Sequence, residues 1–103
     1  PWNILVTPEG WKTLDWEFVG RNDPLFDLVA LHQGLQLNIS TLPALATAFL
    51  PSCSSQRLTR AFAHFWLREW CWASYQLRRG NRRKEIVEQE SEAKQQLLVL
   101  PEF

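Results

Sequence analysis

Between Ser54 and Gly80 the apolar residues recur every three or four positions: Leu58, Phe62, Phe65, Trp66, Trp70, Ala73 and Leu77. A strand cannot use that spacing, because its alternate side chains point to opposite faces, so the segment must be a helix. The stripe is wide, which makes this helix the centre of a core. Its limits are also written in the chain. Ser54 or Ser55 offers an N-cap oxygen, Gly80 suits the left-handed position after the last turn, and Arg78 and Arg79 place positive charge at the C-terminal end. At 103 residues the chain allows one domain, and the remaining elements must pack on this helix or stand apart from it.

Three shorter helices are expected around it. Asp23-Pro24 reads as a helix start, with Asp as N-cap and Pro at the first helical position. Leu25, Leu28, Val29, Leu31 and Leu35 carry that helix to about Leu37, with Asp27 in the first turn, where the helix dipole favours a carboxylate. Asn38-Ile39-Ser40-Thr41 breaks the pattern, and Ser40 or Thr41 can cap a short helix over Leu42 to Leu50. A charged segment from about Arg82 to Val99, ended by Pro101, has sparse apolar positions at Ile86, Val87, Ala93, Leu97 and Leu98. It reads as a surface helix packing by one thin edge. Glu90 and Lys94 stand four apart in the order that favours an ion pair.

The opening residues follow another period. Ile4-Leu5-Val6 is a β-prone run, Thr7-Pro8-Glu9-Gly10 supplies turn chemistry, and Trp11 to Leu14 is the return strand. Asp15-Trp16-Glu17 follows it. Antiparallel pairing folds residue 3 back beside residue 15, setting an amide next to a carboxylate. Such a pair of hard oxygens suits magnesium, which takes one or two protein ligands plus phosphate oxygens. The expected fold class is therefore α+β, mainly α: an N-terminal β-hairpin followed by about four helices.

Asn3-Ile4-Leu5, a turn, Leu14-Asp15-Trp16-Glu17, then Asn22-Asp23-Pro24-Leu25-Phe26-Asp27-Leu28 resembles the aminoglycoside phosphotransferase and choline kinase family over about a quarter of the chain. The Pro1-Trp2-Asn3 start is similar to that family's loops in which Pro-Trp precedes the Asn. The resemblance implies a protein-kinase-like C-lobe, with residues 1–17 as the catalytic-loop and metal hairpin and 23–103 as a helical subdomain. It implies ATP and magnesium as cofactors, Asn3 and Asp15 as the metal ligands, and Asp27 as a brace beneath the catalytic loop. Glu17 is a supporting acid that reaches the metal through water or contacts a cationic substrate. Trp16 and Trp70 are the substrate-binding candidates, since aromatic faces attract cations such as choline and thiamine.

The chain also departs from that pattern. The catalytic Asp of H-x-D-x-x-x-x-N lies five residues before the Asn, and only Pro1 and Trp2 precede Asn3, so this Asp is expected upstream of Pro1. No Gly-rich loop or strand Lys for phosphates is present; the four glycines are scattered at 10, 20, 34 and 80. The chain thus reads as the C-terminal piece of an ATP-dependent small-molecule kinase. Its parent would transfer the γ-phosphate to a hydroxyl of a choline-, thiamine- or aminoglycoside-like acceptor. A missing N-terminal lobe of the same protein would hold the nucleotide and cover part of the area offered by six tryptophans. The free chain is expected to have no kinase activity. The competing class is a non-catalytic helical interaction module or a degenerate kinase remnant.

Other chemistries find no footing. Eleven basic and eleven acidic residues give a formal net charge of zero, so the whole-chain balance makes no case for nucleic acid or an anionic membrane. The basic run Arg78 to Lys84 is explained by helix-end compensation, its field cancelled by the acids that follow. No apolar run approaches the roughly 20 residues of a membrane span. Cys53 and Cys71 are too few for a disulfide framework, which makes a reducing cytoplasm the default. His64 and Cys71 are seven apart and His32 is isolated, so no zinc-ligand spacing occurs; both histidines read as helix residues with a polar edge. No Ser or Cys sits in a small-residue elbow of the nucleophile type.

Overall fold

The computed structural model describes residues 4–13 and 21–103. In order the chain forms strands β1 (Ile4–Thr7) and β2 (Gly10–Thr13), helix α1 (Pro24–Gly34), one 3₁₀ turn (Ile39–Thr41), and helices α2 (Leu42–Phe49), α3 (Ser55–Arg78) and α4 (Lys84–Leu98). The expected mainly helical architecture with an N-terminal hairpin is what forms.

Helix α3 starts and stops where its punctuation says. Ser54 Oγ accepts from the Arg57 N–H at 3.1 Å. At the other end Gly80, at φ 87°, lets its own N–H reach the Leu77 carbonyl and that of Asn81 reach Gln76, both at 3.0 Å. This is the double closure of a Schellman motif. Leu58, Ala61, Phe62, Phe65, Trp66 and Ala73 form its buried face. The indole N–H of Trp66 has no acceptor among the described residues.

Helix α4 returns antiparallel along α3 and makes the most extensive helix–helix contact of the fold, more than the thin edge expected. Ile86 and Ala93 are its buried positions. Trp70 Nε1 donates to Glu90 at 3.1 Å, and Gln89 Nε2 donates to the Glu69 carboxylate at 2.6 Å and carbonyl at 3.2 Å. Glu90 is thereby spent on α3, and the expected Glu90–Lys94 pair does not form. The intrahelical ion pair is Lys84–Glu88 at 3.8 Å. Beyond α4 the chain turns back so that Phe103 meets Phe62 edge-on, centroids 5.7 Å apart.

Helix α1 packs on α3 through Leu25, Phe26, Val29 and His32, whereas Leu31 and Leu35 face outward. Its sequence is apolar nearly all round, so periodicity alone carries no phase and the neighbours choose the face. The helix ends at Gly34, short of Leu37, and Gln36 takes the left-handed position at φ 55°. Gln36 N–H bonds Gln33 O at 3.0 Å and Leu37 N–H bonds His32 O at 3.2 Å, a second Schellman closure without its glycine. A Gln36→Gly variant should therefore gain about 0.5–1 kcal/mol, seen as a higher urea midpoint, because the left-handed cost exceeds glycine's extra unfolded-state freedom. An unchanged or lower midpoint would show the position to be unstrained.

Asn38 is the cap of the next turn, accepting from the Ser40 N–H at 3.0 Å, so neither Ser40 nor Thr41 plays that role. The Thr41 hydroxyl donates to the Asn38 carbonyl at 2.7 Å and accepts from His32 Nε2 at 2.9 Å, while Gln33 Nε2 donates to His32 Nδ1 at 3.0 Å. His32 is 1 % exposed, a core residue rather than one with a polar edge. Each of its nitrogens has a partner, with the proton on Nε2, which is what lets a polar ring occupy a core site. Among the described residues no helix is long and apolar enough to cross a membrane.

Candidate functional site

The hairpin pairs Ile4 with Thr13, Leu5 with Lys12, Val6 with Trp11 and Thr7 with Gly10. Gly10, at φ 121°, closes the turn in a conformation that side-chain-bearing residues avoid, and the Thr7 hydroxyl donates to its carbonyl. The ladder therefore begins and ends with two residues side by side. The metal-ligand candidates Asn3 and Asp15 lie one residue before and two after this pair; with Trp16 and Glu17 they fall outside the described residues. Val6 and Trp11, directly opposite each other, are 69 % and 72 % exposed. Among the described residues the hairpin packs against no helix. A lone two-stranded hairpin is marginal in water, so this apolar pair is a face awaiting cover.

Asp27 occupies the exposed side of the first turn of α1 and makes no hydrogen bond or ion pair among the described residues. Trp70 is half-buried and its ring nitrogen is bound to Glu90, so its polar edge serves the α3–α4 contact. His64 is exposed and lies against Phe26, centroids 4.8 Å apart. No group of three or more His, Cys, Asp or Glu suited to a metal ion occurs among the described residues.

Asp23 does more than the expected capping. Its Oδ1 accepts from the Leu25 N–H at 3.0 Å, and the carboxylate takes both Arg57 Nε (2.7 Å) and a terminal guanidinium nitrogen (3.0 Å). This fork ties the start of α1 to the start of α3 across 34 positions of sequence. The Arg57 hydrogen bond holds the Asp23 carboxyl below its ordinary value against a partial desolvation that pushes it up. A carboxyl depressed on folding stabilises the fold above its unfolded value, about 3.9, and that contribution disappears as pH falls through the lower folded value. Between pH 7 and pH 3 the wild type should lose more of its urea midpoint than Asp23→Asn, which keeps a capping oxygen but no charge. Equal losses would mean the pair is fully screened at this half-exposed site.

The half-buried Glu69 carboxyl is pushed up mainly by burial, with Arg68 pulling it back and Glu92 adding to the rise. An open cleft of about 530 Å³ lies between the end of α1 and the end of α4, with Phe62 in its lining and Gln33, Gln36, Glu92 and Gln96 as its polar side chains. None of the sequence-predicted site residues lines it.

No family model, curated protein or solved structure matches the chain.

Proposed function

We propose that the chain is the C-terminal part of a kinase-like C-lobe, of the aminoglycoside phosphotransferase and choline kinase type. Its parent moves the ATP γ-phosphate to a hydroxyl of a small acceptor. The observation that supports this reading is the hairpin register, in which Ile4 stands opposite Thr13 around a four-residue turn. That is the strand–turn–strand the motif needs between its loop Asn and its metal Asp. A helix capped by Asp23 follows, as the motif's Asn-Asp-Pro would have it. Asn3 and Asp15 would hold magnesium, whose charge offsets that developing on the transferred phosphoryl group. Glu17 and Asp27 would support them, and Trp16 would face the acceptor. A nucleotide-holding lobe would cover the exposed Val6–Trp11 pair.

The chain can be tested alone. Manganese, a paramagnetic stand-in for magnesium, should selectively broaden the Asn3 side-chain amide and Asp15 resonances, and Asp15→Asn should abolish that effect. Broadening confined to the Glu85–Glu92 region, or unaltered in Asp15→Asn, would remove the metal-site reading. The same exposed hairpin pair favours the second reading, a partner-binding helical module. That reading requires the chain to capture a partner through Trp11 with no dependence on Asn3 or Asp15.

A further inference from the structure

Whole-chain neutrality hides a separation of charge. From Arg68 to Lys84 there are six cations, Arg68, Arg78, Arg79, Arg82, Arg83 and Lys84, against the single acid Glu69. From Glu85 to Glu92 there are four glutamates and no cation. At physiological ionic strength fields decay over about 8 Å, so local stripes, not the total, decide what docks.

The two stripes lie on one side of the α3–α4 pair. Helix α1 sits over α3 at His64, Phe65 and Arg68, with the Arg68 guanidinium 5.8 Å from the Phe26 ring centre. Trp72, Tyr75 and Arg79 continue the Arg68 arc at helical spacing where α1 no longer covers it. Trp72 is 49 % and Tyr75 56 % exposed, and the Arg79 guanidinium lies 5.5 Å from the Tyr75 ring centre. On α4, Glu85, Glu88 and Glu92 form an exposed stripe, and Glu92 borders the cleft beside Gln33 and Gln36 of α1. The bonds Glu69–Gln89 and Trp70–Glu90 fix the relative heights. Arg68 then stands within about a turn of Glu92, Trp72 level with Glu88, and Tyr75 level with Glu85.

We propose that this face binds a second copy of the chain about a two-fold axis running along the helices, so that the α3 stripe of each copy lies on the α4 stripe of the other. A basic and an acidic stripe, parallel and matched in height, are what an isologous contact requires, since each copy supplies both halves of the complement. The exposed Trp72 and Tyr75 rings provide the apolar centre and the arginines the rim, the usual composition of such contacts. Because α1 covers the upper part of the face, the contact spans roughly three turns, which makes the dimer small, weak and salt-sensitive. The inference is independent of the kinase-like reading.

Sedimentation equilibrium of the 103-residue chain, at concentrations up to about 0.5 mM in low salt, reads the association directly. The expected result is a monomer–dimer equilibrium whose dissociation constant rises at least about tenfold between 0.02 and 0.5 M salt. The double variants Arg68→Glu/Arg79→Glu and Glu85→Arg/Glu92→Arg should each be monomeric, and an equimolar mixture of the two should dimerise. Helicity measured in parallel separates lost pairing from lost folding; should a variant unfold, the wild-type salt dependence decides. A wild type that stays at 12.1 kDa throughout overturns the proposal, as does growth beyond the dimer or reversed-charge variants that associate like the wild type. A monomer that binds polyglutamate or an RNA homopolymer would assign the arginine stripe to a foreign polyanion and overturn it equally.

Discussion

Replacing Phe62 by alanine is expected to cost about 3–5 kcal/mol, the range for emptying a fully enclosed aromatic site. Phe62 is 1 % exposed and lies where α3, the returning C-terminal residues and the cleft converge. Its ring meets Phe103 at 5.7 Å and Trp66 at 6.4 Å, so no single neighbour can collapse into the space. A domain of this size holds only about 5–15 kcal/mol in total, which makes the loss a large share of the whole. Thermal unfolding followed at 222 nm should shift down by about 15–30 °C. Leu67→Ala, at an exposed position of the same helix, is the control and should move by only a few degrees. A Phe62→Ala midpoint no lower than that control would place the centre of the core elsewhere.

The second large effect belongs to the kinase-like reading. In a protein carrying this chain with a catalytic loop and nucleotide lobe, Asp15→Asn should lower kcat/KM by about a thousandfold or more, since it removes the charge that holds the metal. The loss should fall on kcat, with the acceptor KM little changed, because a metal ligand acts chiefly as charge develops in the transition state. Asp27→Asn should cost far less, in keeping with an exposed position one helix away. Steady-state phosphoryl transfer with magnesium and ATP reads both. Activity within tenfold of wild type in Asp15→Asn would exclude the role given to it.

These expectations rest unevenly on the sequence. The α3 boundaries were legible because Ser54 and Gly80 are chemically committed, one by its hydroxyl and the other by its missing side chain. The hairpin was legible for the same reason at Gly10. The buried side of α1 was not, because leucine, valine and alanine surround the helix and only packing breaks the tie. One signal was available: His32 falls in step with Leu25 and Val29, at four- and three-residue spacing, and that phase would have marked it as interior. The Asp23–Arg57 fork had no such signal, since 34 positions separate partners that only the tertiary fold brings together. Of the candidate site, Asp27 and Trp70 lie within the described residues. Asn3, Asp15, Trp16 and Glu17 are tied to the fold through the ladder end at Ile4 and Thr13.

The short link between α3 and α4 has a kinetic side. Partners such as Glu69 and Gln89 are only 20 positions apart, so their meeting closes a small loop and loses little chain entropy. The Asp23–Arg57 fork encloses a longer stretch and gains nothing until α3 already exists. Folding should therefore nucleate on the two-helix arm, with α1 and α2 annealing afterwards. Amide protons of the Phe62–Trp66 turn would then exchange only through global opening, while those of β1 and β2 exchange through local fraying.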